Sequence, residues 1–199
     1  MKRYGYLGHL NDNTLKEVAS GINTSLAEIS GENDFGGIAT SQVAALTGID
    51  GTENLKNKYF RHPKVFEQGN YNLSYMLAMG FVFCKHNKKE EKALDMLWCL
   101  MNPKIDESIP KKVVEEWVGR LMFWAVDVPL SVEQKKETQN LEVLKYLEEL
   151  QGRAGMFIEQ KIGNLGSQVT RDELAILGKD VLGAHRLRMA IHPEKAIIE

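Results

Sequence analysis

Cysteine is nearly missing from this chain of 199 residues: Cys84 and Cys99 are the only two. Two thiols at this length do not make a disulfide scaffold, so a reducing compartment is expected. Proline is scarce too, at positions 63, 103, 110, 129 and 193, which leaves long stretches free to be helical. No run approaches the ~18 uninterrupted apolar residues that a membrane span needs; the longest, around 77–84, is far shorter. Neither charge dominates, with 25 Lys and Arg against 27 Asp and Glu and a net charge of -2. That balance argues against a nucleic-acid binder held by phosphate contacts and against a polybasic membrane anchor. The opening Met1-Lys2-Arg3-Tyr4-Gly5-Tyr6 turns polar by Asn11 without an apolar targeting segment, and Lys2 excludes N-myristoylation. A cytoplasmic protein is expected, with neither membrane nor nucleic acid as partner.

Catalytic signatures are missing as well. There is no nucleophile elbow, no Walker loop and no His-Glu-x-x-His. Cys84 and His86 are two apart, which on a helix points them to different faces. Cys84 and Cys99 read as core residues at apolar helix positions. His62 and His192 each precede a proline and have no partners at metal-ligand spacing; His185 reads as a surface or satisfied core residue. A small enzyme built on Cys84 and His86 is the weakest reading. The expectation is a non-catalytic protein without a cofactor or metal.

What is present is helical patterning. The hydrophobic share of 43% is enough for a sizeable core. Leu94, Leu97, Trp98 and Met101 follow i, i+3, i+4, i+7, and so do Val114, Trp117, Val118 and Leu121. Leu141, Leu144 and Leu147 make a third stripe. Thr14-x-x-Glu17 and Thr170-x-x-Glu173 read as capping boxes, and Pro110 suits a first helical turn. No alternating β-branched run is long enough for a real sheet, so the class is all-α, with roughly 8 to 10 helices.

The links between helices share a form: a short polar or Gly-containing loop closes on one apolar residue, and a helix follows. The four cases are Gly36-Gly37-Ile38-Ala39, Gly69-Asn70-Tyr71-Asn72, Glu107-Ser108-Ile109-Pro110 and Ser167-Gln168-Val169-Thr170. A helix–loop–helix unit recurring every ~30 to 40 residues is the form of an EF-hand array. On these residues the chain resembles the four-EF-hand proteins related to calcineurin B, calaxin and the neuronal calcium sensors. The clearest stretch is 71–130, with Lys88-Lys89-Glu90-Glu91-Lys92-Ala93-Leu94 opening a third hand and Met156-Phe157-Ile158 preceding the fourth loop. The resemblance implies two lobes of paired hands, 1–86 and 87–199, with an insertion around 128–140. It also implies short contacts of Ile38 with Tyr71 and of Ile109 with Val169.

The ion chemistry does not come with the resemblance. A calcium loop needs oxygen ligands at its first, third, fifth and twelfth positions. With the apolar residue as the eighth, the loops offer Gly31, Asn33, Phe35 and Gln42; Lys64, Phe66, Gln68 and Tyr75; Asn102, Lys104, Asp106 and Val113; and Ile162, Asn164, Gly166 and Glu173. None brings the carboxylates that neutralise Ca²⁺, and Lys64 and Lys104 bring the wrong sign. Glu173 reads as the end of a capping box, and the acidic turn at 32–34 as a solvated loop.

Trp98, Trp117 and Trp124 cluster in the third-hand region with Met122 and Leu121, and the run 121–126 is apolar on every helical face. These five residues are read either as a thick core or as a surface for an amphipathic partner helix. The resulting expectation is a calcium-independent adaptor or structural protein in a larger assembly. The resemblance favours a cytoskeletal or axonemal one. The alternative is a regulatory subunit of a phosphatase or kinase, in the manner of calcineurin B.

Overall fold

A computed structural model of the chain describes residues 38–39, 62–67, 70–83 and 90–193. The Thr14–Glu17 box, Gly31, Asn33, Phe35 and Gln42, the acidic turn at 32–34, Gln68, Cys84 and His86 lie outside the described residues. The chain divides into two compact units, Met1–Lys85 and His86–Glu199. The described residues are mostly helical and the strands are two or three residues long, an all-α class. No helix among them is long and apolar enough to cross a membrane.

In the first unit, β1 (Ile38–Ala39) and β2 (Phe66–Glu67) both pair antiparallel with β3 (Asn70–Tyr71). Tyr71 stands opposite Ile38 on one side and Phe66 on the other. The sequence pattern holds no sign of β2, because two residues are too few for an alternation to register. Asn72 N–H closes the hairpin on Val65 O at 2.7 Å. Helix α1 (Leu73–Phe83) follows. It buries Met76, Leu77, Ala78, Met79, Phe81 and Val82, as a helix apolar on all sides must.

The second unit is built from two helix–loop–strand–helix segments. Helix α2 (Glu90–Met101) leads to β4 (Ser108–Pro110) and α3 (Lys111–Met122); α5 (Leu141–Ile162) leads to β5 (Gln168–Thr170) and α6 (Arg171–Val181). β4 and β5 pair antiparallel, with Ile109 opposite Val169. Pro110 ends β4 rather than entering the helix. It has no N–H to give the ladder, and Lys111 N–H donates to Ser167 O at 3.0 Å instead. α2 packs on α6 and α3, and α3 packs on α5. The α2–α6 contact is close at Gly178, where a Cβ would come within 2.9 Å of Leu94 Cδ1. Arg171 at the start of α6 bonds Asp95 on α2 through Nε at 2.8 Å and Nη2 at 2.5 Å.

The helix of the third segment runs on past its apolar stripe. It widens into a π turn over Phe123–Asp127 and continues as α4 (Val128–Gln134). In the π turn Val128 N–H reaches back five residues to Phe123 O. Pro129 is the local reason: its ring lacks an N–H and crowds the carbonyl four residues earlier, and a wider turn relieves both. The stretch at 128–140, expected as an insertion, is α4 plus a short link. Buried Glu133 holds that link, accepting Asn140 N–H at 2.9 Å and pairing with Lys136. Asn140 then caps α5 by accepting from Glu142 N–H and Val143 N–H.

The last described helix, α7 (Ala184–Ile191), starts after Gly183, whose φ of 103° turns the chain sharply. It packs on α6, the π turn, α5 and α3, burying Leu187 and Ile191.

Candidate functional site

The two loops of the second unit lie side by side through β4 and β5, and each is closed by the chain's own side chains. In the third loop, Asn102 is 4% exposed. Its Nδ2 donates to Asp106 O at 2.6 Å and its Oδ1 accepts Asp106 N–H at 3.0 Å. Both ends of one amide thus clamp one residue of backbone, and the residue at the first ligand position is spent on the loop itself. Ile105, just before the clamp, is held at φ 60° with its side chain 89% exposed. A β-branched residue at positive φ is strained. Lys104 and Asp106 are exposed.

In the fourth loop the first position is Ile162, fully buried. Glu173, at the twelfth, is engaged in the capping box: its Oε2 accepts Thr170 N–H at 2.8 Å and the Thr170 hydroxyl at 3.0 Å, and Thr170 Oγ1 accepts Glu173 N–H. The backbone N–H of Thr170 first, and its hydroxyl second, hold the Glu173 carboxyl below its ordinary 4.5. The carbonyls of Gly163 and Leu165 both receive the Lys111 ammonium, at 2.8 and 3.4 Å. In the second loop, Lys64 is exposed and its N–H donates to His62 Nδ1 at 3.1 Å; Phe66 lies in β2 and Tyr75 in α1. Among the described residues no group of three His, Cys, Asp or Glu is placed to hold a metal ion.

The residues read as a partner surface divide. Trp117 and Trp124 are 1% exposed, Leu121 0% and Met122 5%. All six side chains of 121–126 are buried. The chain itself covers them, which corrects their reading as an open surface: α5 packs along α3 and the π turn, and α7 lies across the same elements. Phe123 and Trp124 meet edge to face at 5.3 Å, and Arg120 lies over the Trp117 ring at 5.5 Å. Trp98 alone of the five is half-exposed, beside exposed Cys99. Ile105 and, at 78%, Ile176 add large exposed apolar side chains.

His192 has no partner at metal-ligand spacing in the sequence, yet the fold brings two side chains to it. It is 2% exposed, with Nε2 3.2 Å from Glu149 Oε2 and Nδ1 3.4 Å from Arg153 Nη1. A guanidinium can only donate, so the geometry assigns the tautomer: Nδ1 accepts from Arg153 and Nε2–H donates to Glu149. His185 is exposed. Lys111 and His192 carry no sequence motif, because each acts on a group that only tertiary folding brings near; Asn102 acts on Asp106, four residues on in its own loop.

No protein-family model, no curated protein and no solved structure matches the chain.

Proposed function

We propose that the chain is a non-catalytic adaptor: a metal-independent, EF-hand-like pair of helix–loop–helix units that acts by binding other proteins. The observation that carries this reading is the Asn102 clamp. A loop whose first ligand position is buried and bonded to its own backbone needs no ion to hold its shape. Without an ion there is no ion-driven opening, and the module stays in one state. Partner contact then falls to what the closed module leaves outside, and the half-exposed Trp98 with the exposed Ile105 and Ile176 offers apolar surface for it. A cytoskeletal assembly is the context this adaptor role fits.

Two measurements test the reading. Millimolar Ca²⁺ is expected to leave the melting temperature unchanged; a rise of several degrees overturns metal independence, since a ligand that binds only the folded state must stabilise it. Affinity purification of the full chain is expected to recover the same stoichiometric partners with Ca²⁺ or chelator. Trp98→Ala is expected to weaken that recovery, since losing a hot-spot tryptophan costs about 2 kcal/mol, roughly thirtyfold in affinity. Undiminished recovery from Trp98→Ala together with Ile176→Asp removes this surface from the proposal.

A further inference from the structure

We infer that the carbonyls of Gly163 and Leu165 form a cation site whose resident occupant is the Lys111 ammonium, a cation supplied by the sister segment. This rests on the metal-independent reading above and says what takes the ion's place in the fourth loop. Lys111 is the first residue of α3, yet its Nζ lies 2.8 Å from Gly163 O and 3.4 Å from Leu165 O, 52 and 54 residues further along the chain.

The site has the electrostatics of a cation site. α5 runs 22 residues and ends at Ile162. Its last carbonyls lack intrahelical partners, and the negative end of its dipole points into the loop. Gly163 N–H still follows the helix, donating to Glu159 O at 2.9 Å, and Leu165 N–H turns back to Ile162 O at 3.0 Å. This turn faces the Gly163 and Leu165 oxygens toward one point. An ammonium offers three donors and a full charge to that point. The β4–β5 ladder fixes the approach, since Lys111 N–H is itself bonded to Ser167 O at 3.0 Å. One residue therefore joins the two loops twice, by backbone and by charge.

The inference separates a cation site from ordinary lysine packing by chemical rescue in the full chain. Lys111→Ala is expected to lower the melting temperature by roughly 4–8 °C. Methylammonium chloride at about 0.1 M is expected to recover much of that loss by filling the vacated position, with no effect on the wild type. Tetramethylammonium chloride at equal ionic strength has no N–H to donate and is expected to recover none. Wild-type melting in Lys111→Ala, or equal action of the two salts, overturns the inference. Should Lys111→Ala not fold, the native protein answers. Acetic anhydride followed by peptide mass spectrometry is expected to modify Lys111 roughly tenfold more slowly than Lys112, whose side chain is 82% exposed. Equal rates overturn the inference. Its failure is distinct from failure of the adaptor reading, which shows instead as a Ca²⁺-dependent rise in wild-type melting.

Discussion

Arg188 donates its Nε–H to the carbonyl of Ala125 at 2.7 Å, across the contact between α7 and the π turn. Ala125 is fully buried. It is also the residue whose carbonyl an α-helix would satisfy from position 129, and position 129 is a proline. The π turn, the proline and the arginine of a distant helix thus form one arrangement, in which the arginine donates to a carbonyl that residue 129 has no N–H to reach.

Replacing Arg188 with Met keeps the stem and removes the donor. A loss of about 1–3 kcal/mol is expected, the range for removing a charged donor from a buried acceptor. In a Pro129→Ala background, where residue 129 regains its N–H, the same replacement is expected to cost less. Urea denaturation of the two single variants and the double variant measures the coupling. Strict additivity would show that Arg188 and Pro129 do not share this carbonyl.

The contact of Ile109 with Val169 is the apolar centre of the β4–β5 pairing, with Ile109 3% and Val169 0% exposed. Ile109→Asp places a carboxylate there without a partner and is expected to cost about 3 kcal/mol or more. Ile109→Val is expected to cost about 0.5–1.5 kcal/mol. Thermal melts that leave Ile109→Asp within a degree or two of the wild type would sink the claim that this pairing holds the second unit together.

Ile105 offers a gain in stability. Its φ of 60° is unfavourable for a β-branched residue, and its exposed side chain gives little back. Asparagine tolerates this conformation far better. Ile105→Asn is expected to stabilise the protein by about 1 kcal/mol, read as a higher denaturation midpoint at constant slope. A lower midpoint would show that the isoleucine makes a stabilising contact that outweighs its backbone strain.

Acid stability tests the capping box. The folded Glu173 carboxyl is held below its ordinary 4.5 by Thr170. A group lowered on folding contributes stability that is fully present above its unfolded value and is lost as pH falls through the lowered folded value. Melting temperature followed from pH 6 downward is expected to fall below about pH 4.5 in the wild type, and Glu173→Gln is expected to flatten part of that fall. Superimposable profiles for the two proteins would remove Glu173 from the acid transition.

Local signals were legible where a physical rule acts over a few residues. Thr170 and Glu173 sit three apart and cap each other because both groups belong to one helical turn. The stripes from Leu94 and Val114 mark α2 and α3 because burial on one face leaves a period in the chain. Pro129 signals trouble four residues upstream, but it says nothing of Arg188, and two-residue β2 leaves no pattern at all. The run at 121–126 illustrates the limit. Its composition requires cover on every side, but it does not say whether a second chain or α7 supplies it.

By itself the sequence determined the helical class, the apolar residue closing each described loop and the lack of carboxylates for an ion. Each of these depends on neighbours within a turn or two, so propensity and periodicity suffice. Only the tertiary structure decided what holds the loops instead, and which tryptophans face inward. Lys111 crosses 52 residues to Gly163, and Arg188 crosses 63 to Ala125. Such pairings answer carbonyls and amides that local structure leaves unpaired. A sequence shows where such groups arise, but packing chooses the partner.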